Sequence, residues 1–208
     1  MSQLLIQDPN PDAGATAKTT FGGMPSAQKG ELAWPTCKTC HGSMQFLGQI
    51  RTNGVLGNHL LLLFMCQNEP GMCDEWAADG GGNAVIVVPT ADLELAQPPS
   101  GGVTLRPVRY GTTMVGVEAE DYGEALDKWR QENPGRPREV LGQLGGEPGW
   151  IQSDETPGCD ICRTPMSFVA QLEEGPDHRT AMNFGGGGCA YVFQCSCSGT
   201  TAKMLWQC

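Results

Sequence analysis

The chain has 208 residues, with 13 Lys and Arg against 23 Asp and Glu, a net charge of −10, and 29 Gly, 15 Pro and 10 Cys. That length suits one or two domains with a real core. The acidic balance argues against direct nucleic-acid binding, which needs clustered Lys and Arg, and disfavours an anionic membrane surface, but it leaves room for a basic protein partner.

Residues 1–20 are polar and lack periodicity, and are expected to form an extended arm. Their start, MSQLLIQDPNPDAG, has no basic n-region and an apolar run of only LLI, so no export signal is read there and a cytoplasmic protein is expected. A first lobe is placed at residues 21–90. It opens on FGGMP and contains CKTC, and MQFLGQI then alternates at strand period. Met44, Phe46 and Ile50 are expected on one face, and Gln45, Leu47 and Gln49 on the other. The continuous run HLLLLFMC reads as a buried strand and NAVIVVP as another. The apolar stretch Leu60–Met65 is far shorter than the ~18 residues of a membrane span, so no membrane partner is expected.

A middle insert is placed at residues 91–143. AQPPSGG is a linker, and VTLRPVRY reads as an edge strand because Pro107 has no N–H to donate. DYGEALDKWRQE, residues 121–132, predicts the main helix: Asp121 caps it, Glu124 completes a capping box, and Tyr122, Ala125, Leu126 and Trp129 share a face. The second lobe, residues 144–208, restarts with LGGEP, followed by CDIC, PMSFVAQL, GGGGCAYVFQC and AKMLWQC.

The same unit thus recurs: G-G-x-P, a spacer, C-x2-C, a strand ending near Gln, a hairpin, and a strand ending in F-x-C. The predicted fold class is α+β and strand-rich, internally duplicated into two similar lobes, each with a C-x2-C zinc knuckle. GGGNAVIVV also resembles GGGGCAYVF, so the strand correspondence after each hairpin stays open. Both glycine runs precede strands, so neither offers a helix N-terminus to a phosphate.

The cysteine spacings carry the chemistry. Cys37 and Cys40 are followed by Cys66 and Cys73, and Cys159 and Cys162 by Cys195 and Cys197. A C-x2-C turn offers two thiolates from one tight loop, and a second pair completes a tetrahedron around a structural Zn2+ with no vacant position. Two zinc ions per chain are therefore expected. Cys189 is an alternative to Cys195 or Cys197, and His41 an alternative in the first set. Three other readings fit less well. Haem attachment at CKTCH requires export, and CDICR lacks the His. A thioredoxin-type motif requires a helix after the second Cys. Disulfides require an oxidising compartment.

The two phrases and their surroundings resemble the YwqG-like bacterial family. The residues that carry the likeness are Gly22-Gly23-x-Pro25, Trp34-Pro35-x-Cys37-x2-Cys40, Met44-x-Phe46-Leu47-x-Gln49, Leu144-Gly145-Gly146-x-Pro148-x-Trp150, Cys159-x2-Cys162, Pro165-Met166-x-Phe168-x2-Gln171, Gly187 to Phe193, and Leu205-Trp206-Gln207. More distantly the chain is similar to the programmed cell death protein 2 family. That resemblance implies a duplicated, strand-rich fold and a non-enzymatic role as a chaperone for a basic ribosomal protein. Two other functions stay open: a hydrolase with an unrecognised cleft, and a thiol redox protein using both C-x2-C pairs.

Overall fold

A computed structural model describes residues 2–11, 14–53, 56–136, 138–197 and 199–208. Its strands are β1 (Ser2–Asp8), β2 (Thr20–Phe21), β3 (Ser26–Gln28), β4 (Gln45–Arg51), β5 (His59–Met65), β6 (Asn83–Pro89), β7 (Leu93–Leu95), β8 (Tyr110–Val117), β9 (Val140–Leu144), β10 (Ser167–Glu173), β11 (Cys189–Gln194) and β12 (Ala202–Gln207), with helix α1 at Tyr122–Glu132. Ten strands form one antiparallel sheet in the order β12-β11-β10-β9-β1-β8-β2-β4-β5-β6, and β3 pairs with β7 beside it. The large sheet curls into a nearly closed barrel. At the seam the Trp206 N–H donates to the Trp76 carbonyl at 3.1 Å, and the two indoles meet edge to face.

Side chains from around the whole sheet converge on the inside, among them Leu5, Leu47, Leu61, Leu63, Tyr110, Leu141, Leu172, Val192 and Met204. Three further clusters cover the outside. Phe46, Leu60, Leu62 and Phe64 pack under Ala27 and Trp34. Tyr191, Phe193 and Leu205 pack under Trp150 and the second cysteine turn. Leu4, Ile6 and Val140 pack under Tyr122, Ala125 and Trp129 of α1. Strand β5 therefore contributes alternate leucines to both faces, which is why it reads as an unbroken apolar run.

The alternation expected for MQFLGQI is broken by a bulge. The β4–β5 register shifts between Phe46 and Gly48. Met44 and Phe46 consequently lie outside and Leu47 and Ile50 inside, rather than Ile50 sharing a face with Phe46. A matching shift falls between Phe168 and Ala170 in β10.

Two expectations are corrected. Residues 2–8 are not a loose arm but a central strand, paired with β8 on one side and β9 on the other. Their apolar run is short, yet Leu4, Leu5 and Ile6 are buried between the interior and α1. The stretch VTLRPVRY is not an edge strand. It crosses one end of the barrel as a loop with a single bridge from Leu105 to Phe46. Buried Arg106 fastens it by donating to the Leu47 carbonyl and the Tyr110 hydroxyl, both at 3.2 Å, and to the Thr180 carbonyl. The strand begins where this loop ends, at Tyr110.

Helix α1 is capped by Asp121 as predicted, but the return bond of the expected capping box falls one residue earlier. The Asp121 carboxylate accepts from the Glu124 N–H at 2.8 Å, and Glu124 reaches back to the Glu120 N–H at 2.7 Å. No helix among the described residues is long and apolar enough to cross a membrane.

Several local bonds occur in both halves. Gly22 donates to the Leu47 carbonyl (2.8 Å), and Gly145 to that of Val169 (2.7 Å). The Gln49 side chain accepts from the Ser26 N–H (3.0 Å), and Gln171 from that of Gly149 (2.8 Å). The leading strands are exchanged: β1 precedes the first half but lies against β9, whereas β8 precedes β9 but lies against β2.

Candidate metal centres

The first cysteine turn is a tight hairpin leading into β4. The Cys37 N–H donates to the Gly42 carbonyl (2.9 Å) and the His41 N–H to the Cys37 carbonyl (3.0 Å). His41 takes a φ of 60°, the left-handed conformation that folds the turn back. Cys66 leaves the end of β5, fixed by its N–H to the Gly82 carbonyl (2.7 Å). Cys73 follows on a loop whose N–H groups at Gly71 and Cys73 donate to the Glu75 carboxylate. Cys37, Cys66 and Cys73 are buried and Cys40 is half-buried.

The second turn repeats this construction. Cys159 donates to the Thr164 carbonyl and Arg163 to the Cys159 carbonyl, both at 2.9 Å, and Arg163 has a φ of 62°. Cys195 leaves β11, with its N–H on the Thr201 carbonyl at 2.8 Å. Cys197 is exposed and Cys162 half-buried, so this group is the more open of the two.

Within each group of four, one ligand atom per residue lies within 4.8 Å of all the others. Individual sulfur separations are 3.6 Å for Cys40–Cys66, 3.8 Å for Cys159–Cys197, 3.5 Å for Cys162–Cys195 and 3.1 Å for Cys195–Cys197. A tetrahedral ion with metal–sulfur bonds of ~2.3 Å spaces its sulfurs ~3.8 Å apart, whereas a disulfide requires ~2.05 Å. The donor sets therefore fit metal ions. Neighbouring groups donate to the sulfurs: Asn68 Nδ2 to Cys40 (3.6 Å) and Cys66 (3.4 Å), and the Ile161 N–H to Cys159 (3.4 Å). Thr164 Oγ1 lies 3.0 Å from the Cys162 sulfur.

These bonds divide the thiols by acidity. The Gly42 N–H lowers Cys40 to about 7 against its partial burial, aided by the other sulfurs. The Thr164 hydroxyl and N–H lower Cys162 to about 6. Burial raises Cys66 and Cys73. At Cys195 the Cys197 N–H works to lower the pKa, but the Cys197 thiol, burial and the other sulfurs outweigh it and push it up to about 12. The Cys162 N–H likewise lowers Cys159, so Cys40 in the first group and Cys159 and Cys162 in the second are acidified while Cys66, Cys73 and Cys195 are pushed the other way. A divalent cation at the centre removes that conflict by favouring the thiolate form of all four.

The structure brings together all eight cysteines singled out from the sequence, in the expected two groups. Cys189 lies outside both, buried on β11 with its sulfur 3.6 Å from Glu173 Oε1, and His41 is exposed beside the first. The sequence reading missed Asn68 and Thr164, each two residues beyond a cysteine, and the partners of Lys203. The two turns flank a cleft of about 540 Å3 at the seam, lined by Lys38, Met44, Asp79, Asp160 and Lys203 among others. Buried Lys203 donates there to Asp79 (2.6 Å) and Asp160 (2.9 Å), two carboxylates that are about two-thirds exposed.

Comparison with protein-family models gives no match, and neither does comparison with curated proteins.

Proposed function

We propose that the chain is a protein-binding module held in shape by two structural zinc ions, acting by recognition rather than catalysis, in a reducing compartment such as the cytoplasm. The observation that carries this reading is the pair of four-thiol groups. An all-thiolate tetrahedral set suits zinc and leaves no open position for chemistry. A loop-rich chain with 29 Gly has much backbone entropy to lose, which structural metal offsets. The matched bonds of the two halves support an origin by internal duplication. The net charge of −10 suits a basic client, as does the resemblance to YwqG-like and programmed cell death protein 2 family members. Exposed Met72, Trp76 and Ile161 beside the cysteines supply apolar contact surface.

Native mass spectrometry of tag-free protein, paired with thiol labelling, tests the metal reading. Two zinc ions per chain and eight thiols protected until chelator is added are expected. An iron mass overturns the choice of ion, and no bound metal overturns the site. Capture of a stoichiometric basic protein at low salt tests the binding role, and retention of no partner counts against it. Acidified Cys40 and Cys162 favour one second reading, thiol redox at the C-x2-C pairs. It requires metal-free protein whose two pairs form reversible disulfides.

A further inference from the structure

A second cavity, lined by none of the eight clustered cysteines, carries opposite charges that do not meet. It measures about 410 Å3 and is bounded by the last turn of α1, the end of β10 and the glycine loop before β11. Arg130 and Arg138 line it and are exposed, and Glu173 and Glu174 line it and are half-buried. Neither guanidinium makes a hydrogen bond or ion pair among the described residues.

The carboxylates are held away from the arginines. Glu173 Oε1 accepts from the Tyr122 hydroxyl at 2.7 Å. Glu174 Oε1 accepts from the N–H groups of Phe184 and Gly186, both at 2.8 Å. Each carboxylate thus spends one oxygen on its own fixation and keeps Oε2 for another donor. Opposite charges free to move would close on each other. Here the fold keeps two of each sign on the walls of one cavity.

The glycine run singled out in the sequence forms part of the wall. Gly185 and Gly188 are packing glycines, since a Cβ would strike Cys208 at the first and the Phe184 and Gln207 carbonyls at the second. Gly186 and Gly187 differ. Their φ values of +82° and +122° exclude ordinary side chains, yet a Cβ there meets open space. They bring bare main chain to the cavity.

We propose that this cavity binds a small zwitterion of the α-amino-acid type, its carboxylate on Arg130 and Arg138 and its ammonium on Glu173 and Glu174. Guanidinium forks match a carboxylate in bidentate geometry, and the volume falls within the usual range for small ligands. A simple anion meets the glutamates and a simple cation meets the arginines, so each is disfavoured where a zwitterion satisfies both.

The test uses the full metal-loaded chain. Thermal shift and titration calorimetry are run with free α-amino acids and dipeptides, one at a time at millimolar concentration, and with acetate, phosphate and ethylammonium as single-charge controls. At least one zwitterion is expected to raise Tm and to bind saturably, with the dipeptides deciding whether a free or a peptide-linked form is preferred. The double variant R130A/R138A should keep nearly the ligand-free Tm, because neither exposed guanidinium makes a hydrogen bond or ion pair among the described residues, and lose about tenfold or more in affinity. Absence of any zwitterion effect overturns the proposal. So does an equal shift with acetate or phosphate alone, or undiminished binding by the double variant.

Discussion

Cys66 and Cys189 are both buried thiols on the strand-rich part of the chain, yet only Cys66 shares a sulfur cluster. Replacing Cys66 by Ser should remove one of the two ions in native mass spectrometry and lower Tm sharply. Cys189→Ser should retain both ions with a small change in Tm. This distinction was only partly legible in sequence. Spacing exposes C-x2-C because one tight turn must deliver both thiolates, but Cys189 and Cys195 lie on the same side of the sheet, and only the position of the second cysteine turn, next to the end that Cys195 leaves, decides between them. The sulfur donors Asn68 and Thr164 left no signal of their own. Lys203 offers a second residue-scale test. Its side chain is only 7% exposed, against 70% and 68% for those of Asp79 and Asp160. Lys203→Met leaves two carboxylates that water can solvate, whereas the pair Asp79→Asn and Asp160→Asn strands a buried charge, so the double change should lower Tm more. Burial works to lower the Lys203 pKa, but the two aspartates outweigh it and raise it, and the Lys203 ammonium lowers Asp160. A raised lysine stabilises below its unfolded pKa, and a lowered aspartate above its own. The Tm difference between wild type and Lys203→Met should therefore stay flat from about pH 5 to about pH 9.

At the scale of elements, α1 and β9 make contrasting cases. The helix was readable because its cap and apolar face are local, and Asp121→Ala should cost ~1 kcal/mol in urea denaturation by removing the acceptor for Glu124 N–H. Strand β9 contains Gly142, with a φ of +133° and an added Cβ only 1.9 Å from the Gln171 carbonyl oxygen. Gly142→Ala should cost at least ~2 kcal/mol by the same measurement, because the backbone itself must move to accept it. Nothing local marks that glycine as different from the others. Strands β1 and β8 were illegible for a related reason. YGTTMVGV pairs with β1 over residues 111–117 and with β2 only at Tyr110 and Gly111, and Thr113, Met114 and Gly116 are exposed, so its hydrophobic pattern is weak. LLI is too short to show any period.

The whole molecule turns on β1. An extended arm is dispensable, whereas a strand between β8 and β9 holds the two halves of the sheet together. Deleting residues 1–8 should abolish soluble, cooperatively unfolding protein, as judged by circular dichroism and thermal melts. A truncated chain that melts like the full one removes β1 from the architecture proposed for the module. Barrel closure was not readable from sequence, because it depends on which distant edges meet, not on any segment's own pattern. The exchange of leading strands also has a consequence in time. β1 precedes the other strands of this sheet in the chain, yet its partners span residues 111–117 and 140–144, and its neighbour β9 in turn waits for β10. The nascent chain must therefore carry an unpaired apolar strand through most of its elongation. Such late, long-range pairing makes folding slow and leaves early edges open to misassembly. Until residues 111–117 have been made, β1 has no neighbour in the sheet to pair with.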